Sequence, residues 1–176
     1  MGYAVMRFAG LRFALSFMAV LLMAPVAGGV LPAAAQNAKV LAKDAANDTA
    51  DIEDCLKSKP DAQESCIGIV SNPCLDRDST KSTADQNACI NREFAVWDDI
   101  LNETYRRLRE KLDDAQKVKL RDMQRAWVAS KEKTCAFYWD YYQGTMASPM
   151  AAACANRETA RRALFLIGFM LDAEGK

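Results

Sequence analysis

The sequence predicts an all-α protein: a disulfide-stapled antiparallel bundle of three long helices with a short N-terminal helical appendage. Apolar residues recur at steps of three and four through three long stretches between positions 83 and 172. No alternating apolar-polar stretch of useful length competes for a strand. Six cysteines all lie behind a segment with the order of an export leader.

That leader sets the compartment. Arg7 and Arg12 precede an apolar run from Phe13 to Ala24. Pro25, Gly28, Gly29 and Pro32 break it, and Ala33-Ala34-Ala35 supplies small residues for a peptidase. Residues 1–35 read as a cleaved signal peptide, with a retained anchor as the alternative because the apolar stretch is almost long enough to span a bilayer. No cysteine lies near the cut for lipid attachment. The expected location is periplasmic or secreted, with no membrane association after cleavage. Cleavage removes two arginines and no acid, leaving a mature net charge of −2. That near-neutral balance argues against a nucleic-acid partner and predicts weak steering of charged partners.

Residues 36–54 are rich in Ala, Asp and Asn and read as a linker with at most a weak helix. Residues 55–74 carry cysteines around Pro60, then Ile67-Gly68-Ile69-Val70, predicting a short helix ended by Asn72-Pro73. The span 36–73 is thus a linker and a short cysteine-bridged helical segment, and 74–172 is the main helical domain. The first long helix is predicted from Thr83, with Thr83-Ala84-Asp85-Gln86 as a capping box. Ile90, Phe94, Trp97, Leu101, Tyr105, Leu108 and Leu112 form its apolar stripe. The second runs from about Asp114 to Gln143, with Leu120, Met123, Trp127 and Tyr138 inside and Gly144 as its stop. Pro149 suits the first turn of a third helix, whose predicted stripe is Ala160, Leu164, Ile167 and Leu171. Short links between such helices favour an antiparallel bundle.

Cys55, Cys66, Cys74, Cys89, Cys135 and Cys154 form an even set in an exported chain, which implies disulfides. Many pairings are open to them. Local pairing, Cys55–Cys66, Cys74–Cys89 and Cys135–Cys154, is the simplest. A metal site is disfavoured because the chain has neither a histidine nor a C-x-x-C pair. Without histidine there is no imidazole base and no Ser-His-Asp or Cys-His machinery. No Gly-rich phosphate loop follows a strand. A non-enzymatic protein without a cofactor is therefore expected.

The informative polar residues sit on or beside the apolar stripes. Asp98, Asn102 and Tyr105 share one face of the first helix. Gln124 and Arg125 flank the inner face of the second, and Thr159 and Arg162 lie one turn apart on the third. Buried polar groups need partners. These residues are expected to form an inter-helix network in which Asp98 or Asn102 meets Arg125 or Arg162, with ligand contact as the alternative role. Around the first link, cations from Arg106 to Arg121 interleave with Glu110, Asp113, Asp114 and Asp122, as on a solvated surface. The run Phe137-Tyr138-Trp139-Tyr141-Tyr142 wraps around its helix and cannot all face one core. Core and cap packing is the first reading of it. The exposed part, near a disulfide, would offer interface anchors.

Three ordered segments resemble the LprI-like lysozyme-inhibitor family. Asp98 to Tyr105, with Leu101-Asn102, is similar to its D-x-x-LN-x-x-Y segment. Gln124-Arg125-Ala126-Trp127 followed by Cys135 resembles its QRAW…C segment, and Cys154, Thr159, Arg162 and Leu166 its closing C-x4-T-x2-R-x3-L. Cys74 to Cys89 looks like the opening of the pattern. The resemblance covers about residues 74–166. It implies an exported, all-helical, disulfide-bonded fold and favours Cys74–Cys89 and Cys135–Cys154, which leaves Cys55 with Cys66. It also implies a proteinaceous inhibitor whose partner is lysozyme. The alternative is a non-catalytic interaction module that binds another cell-envelope protein. Candidate partner-binding residues are Trp139 and Tyr142 with Gly144, Thr145 and Ser148 of the turn before Pro149.

Overall fold

The computed structural model describes residues 33–175, with side chains from Asp44 onward. The expected leader lies outside the described residues except for the backbone of 33–35. The described part is helical throughout: α1 (Ala33–Ser58), a 3-10 turn (Gln63–Cys66), α2 (Ser71–Leu75), α3 (Thr83–Lys111), α4 (Asp114–Tyr142), a second 3-10 turn (Gly144–Met146) and α5 (Ala147–Glu174). None of the described helices is long and apolar enough to cross a membrane.

The two long helices that follow polar loops begin with reciprocal caps. At α3 the cap is Ser82 with Asp85, one residue ahead of the expected Thr83 and Gln86. Ser82 Oγ accepts the Asp85 N–H at 3.1 Å, and Asp85 accepts the Ser82 N–H at 3.0 Å. An acid in the first turn also meets the positive end of the helix dipole. The Ser82 hydroxyl, foremost, and the Ser82 N–H hold the Asp85 carboxyl below its ordinary range. At α4, Asp113 and Gln116 make the same reciprocal pair at 2.7 and 3.0 Å.

α5 packs along both α3 and α4. The core contains Trp97, Leu101, Leu108, Leu120, Ala160, Ala163, Leu166 and Met170. Within the α3 stripe, Ile90, Trp97, Leu101 and Leu108 are buried, while Phe94, Tyr105 and Leu112 lie half-buried. The α5 stripe differs from expectation. Thr159, Ala160, Ala163, Leu166 and Met170 are buried, Leu164 and Ile167 are half-buried, and Leu171 is 58% exposed. The reason is that α5 is flanked on two sides. Small residues at its buried face let two helices approach closely, and the bulky i, i+3, i+4 set is displaced to the rim.

The N-terminal part also departs from the linker expectation. α1 is continuous, and Asp48, Ile52 and Cys55, spaced by four and three, are buried. Asp48 accepts two hydrogen bonds from Arg92 of α3, from Nε at 3.0 Å and Nη2 at 2.7 Å. This forked bond, first of all, raises the Arg92 pKa above its ordinary value. The predicted short helix is divided. Residues 67–70 form a turn, and α2 begins at Ser71, so Asn72-Pro73 lies in its first turn rather than ending a helix. Proline is tolerated there because the first-turn N–H groups have no intrahelical acceptor.

The three cysteine pairs are Cys55–Cys66, Cys74–Cys89 and Cys135–Cys154, with Cα separations of 5.8, 5.5 and 5.5 Å. They tie α1 to the first 3-10 turn, α2 to α3, and α4 to α5.

Gly68 has φ +100°, and a Cβ there would meet Asn72 Nδ2 at 2.5 Å. Gly68→Ala is therefore expected to cost about 1–3 kcal/mol, read as a lower urea midpoint with an unchanged slope. An unaltered midpoint would mean that this turn is not held in the left-handed region.

Candidate functional site

Three polar or aromatic constellations stand out: a buried carboxylate, a cleft between α3 and α4, and the turn between α4 and α5.

The carboxylate is Glu93, which has no exposed surface. Oε1 accepts the Gly68 N–H at 2.7 Å, Asn156 Nδ2 at 3.0 Å and Trp97 Nε1 at 3.1 Å. Oε2 accepts the Val70 and Ser71 N–H groups at 3.1 and 2.8 Å and the Ser71 hydroxyl at 2.9 Å. Among the described residues Glu93 belongs to no ion pair. Burial pushes its carboxyl up. The hydrogen bonds from Asn156, the Ser71 and Gly68 N–H groups and the Ser71 hydroxyl outweigh that and hold it below the usual glutamate range. Glu93 thus clasps the 68–71 turn to α3 and α5. Sequence reasoning missed it. The available signal was an acid one turn from both Ile90 and Trp97, on the apolar face.

The α3–α4 cleft encloses about 480 Å³. Asp98, Asn102 and Tyr105 line it from α3, and Gln124, Arg125 and Trp127 from α4. Two of the segments behind the family resemblance, Asp98 to Tyr105 and Gln124 to Trp127, thus face each other across one cleft, but the expected bonds across it do not form among the described residues. Asn102 Nδ2 donates to Asp98 of its own helix at 2.9 Å. Arg162 reaches Gln124 rather than Asp98 or Asn102, donating from Nε at 2.8 Å. Thr159 accepts from Lys131 Nζ at 3.4 Å. Tyr105 lies under the Arg109 guanidinium at 5.8 Å. The physical reason is spacing: α5 holds α4 through Gln124 and Trp127, and the α3 polar row faces open space.

Arg162 is buried, with its guanidinium 5.6 Å from the Trp127 ring and 5.0 Å from the Phe165 ring. Burial pulls its pKa down from the ordinary arginine value. Its Nη2 has no hydrogen-bond partner among the described residues.

At the α4–α5 turn, Trp139 is 54% exposed and Tyr142 39%, beside exposed Phe137 and Tyr141. Tyr138 is half-buried, stacks on Tyr142 with centroids 5.8 Å apart, and accepts a hydrogen bond from Arg157 at 3.2 Å. Gly144 (φ +70°) and Thr145 are exposed. Ser148 accepts from Asn87 Nδ2 at 2.6 Å and so braces the turn against α3. Of the expected partner-binding set, Trp139, Tyr142, Gly144 and Thr145 face solvent, whereas Ser148 is half-buried. Among the described residues no group of three or more acids and cysteines is placed to hold a metal ion.

Fold and site together define a small helical bundle, stapled by three disulfides, that presents a braced aromatic turn and a polar cleft. The chain belongs to the LprI family: the model described as "Lysozyme inhibitor LprI" matches residues 74–166, more than half its length. No curated protein and no solved structure matches the chain.

Proposed function

We propose that this chain works outside the cytoplasm, periplasmic or secreted, as a proteinaceous lysozyme inhibitor of the LprI type without catalytic activity. The observation that carries the reading is the solvent-facing aromatic surface at the end of α4, braced by Cys135–Cys154. A protein inhibitor binds tightly when its contact residues are already ordered, because little rotamer and loop entropy is lost on docking. The target cleft of a glycosidase holds two carboxylic residues. Opposite them, an inhibitor needs hydrogen-bond donors on a narrow projection. The turn from Gly144 offers the exposed Thr145 hydroxyl, flanked by Trp139 and Tyr142 as aromatic anchors. The leader-like N-terminus and the fully paired cysteines support an oxidising location.

The test is a muramidase assay on bacterial cell walls, titrating oxidised protein against several lysozyme classes. Dose-dependent inhibition is expected. Thr145→Trp should abolish it by blocking entry of the turn while leaving the melting temperature within about 1 °C, since surface changes rarely exceed about 0.5 kcal/mol. Intact inhibition by that variant would exclude the turn.

One observation favours a second reading, an envelope interaction module. The segment from Gly144 to Pro149 carries no basic residue to face a pair of carboxylates. On that reading Trp139 and Tyr142 anchor a different envelope protein, and pull-down from envelope extract recovers it while every lysozyme class remains uninhibited.

A further inference from the structure

The α3–α4 cleft holds two polar rows that do not satisfy each other. A seam built only to fix helix register would join them by hydrogen bonds. Here Asp98 and Asn102 bond within α3, and Gln124 bonds to α5, so neither row spends its groups on the other. We infer that this cleft binds an acidic saccharide, a hydroxylated ring carrying a carboxylate.

The chemistry follows from the lining. Sugar hydroxyls both donate and accept, and are best met by planar groups that offer both functions side by side. Asp98 supplies acceptor oxygens, and the Asn102 and Gln124 amides supply donors and acceptors in fixed planes. Tyr105 and Trp127 add apolar ring surface for the C–H face of a pyranose. A volume of about 480 Å³ suits one or two sugar rings.

The charge argues for a carboxylate on that ring. The acids of the lining are Asp98 and Glu132. Against them stand Arg121, already paired with Asp122 at 2.9 Å, and Arg125 and Lys131, which have no ion-pair partner among the described residues. Behind the same α4 wall lies Arg162, more than nine-tenths buried, facing aromatic rings and Gln124 rather than an acid. Lys131 Nζ also sits 4.8 Å from the Trp127 ring. An anion at the α4 wall supplies Arg125 and Lys131 with the counter-charge they lack among the described residues. The ligand carboxylate is therefore assigned to Arg125, at the accessible edge of this wall, and the hydroxyls to Asp98, Asn102 and Gln124. The site shares no residue with the α4–α5 turn, so it stands whether or not the protein inhibits lysozyme.

The experiment titrates the oxidised protein, followed by calorimetry and by NMR shifts of the Trp127 indole, with three probes. These are a disaccharide containing glucuronic acid, the same disaccharide with its carboxyl reduced to an alcohol, and acetate. Saturable binding of the acidic disaccharide is expected, with the reduced disaccharide and acetate each weaker by about tenfold or more, near 1.4 kcal/mol. Arg125→Glu and Asn102→Leu, both at exposed positions, should each lose binding by a similar factor without a fall in melting temperature. No saturable binding at millimolar acidic disaccharide overturns the proposal. Equal binding of the reduced form overturns the carboxylate assignment, and equal binding of acetate overturns the saccharide. Unchanged affinity in both variants, read on folded protein, places any binding elsewhere and overturns the site.

Discussion

Replacing Glu93 with glutamine is expected to cost about 3 kcal/mol and to lower the melting temperature by roughly 10 °C. Glutamine has nearly the same shape, so the loss is electronic rather than steric. Its single carbonyl oxygen cannot serve the donors from the 68–71 turn, Trp97 and Asn156. Its amide N–H groups would also face backbone N–H groups, leaving several buried donors unsatisfied. The carboxylate further implies a pH signature. Its folded pKa lies below the unfolded one. Its contribution is thus complete above the ordinary glutamate pKa of about 4.3, and is lost as pH falls through the depressed folded value. Urea midpoints of wild type and Glu93→Gln should therefore differ most at neutral pH and converge in acid. A constant gap from neutral pH to pH 2 would show that Glu93 is not the ionised clasp.

The second large effect concerns Cys135 and Cys154. Their joint replacement by alanine should cost about 3 kcal/mol, because the sequence separation of 19 closes a loop whose entropy is returned to the unfolded chain. It should also abolish inhibition, since the bond fixes the end of α4 to α5 at the base of the proposed inhibitory turn. The informative control is Cys55→Ala with Cys66→Ala. That pair closes a shorter span of 11 residues outside the turn, so its loss should lower stability and spare inhibition. Denaturant midpoints and the cell-wall assay together separate the two effects. Full inhibition by a folded protein lacking Cys135–Cys154 would show that the braced turn does not carry the activity.

Much of the bundle was legible because its signals are local. The step pattern from Ile90 to Leu112 marks one helix face within a few turns, and α3 follows it. The start at Asp114 and the stops near Gly144 rest on neighbouring residues alone, and α4 agrees. The register of α5 was less legible. A stripe of Ala160, Leu164, Ile167 and Leu171 has good helical spacing, but spacing does not say that α5 has neighbours on two sides. The cap at α3 was displaced by one residue because Ser82 and Thr83 both suit an N-cap, and backbone direction chose Ser82.

By itself, the sequence determined an all-helical fold, the long helices α3, α4 and α5 but not α1, the paired state of its cysteines and the segments that align it with the LprI family. Each rests on contacts between residues close in the chain or on residue types that admit one chemistry. Tertiary structure decided the rest. Five of the six hydrogen bonds to Glu93 come from donors 22 to 63 residues away, and no local pattern announces such partners. The docking of α1 on α3 depends on Asp48 meeting Arg92 across 44 residues. Asp98, Asn102, Arg125 and Arg162 were all recognisable as polar groups beside apolar stripes. Whether they bond to each other or line a cleft depends on how far apart α5 holds α3 and α4, a distance set by the volume of side chains between helices and not by the pattern along any one of them.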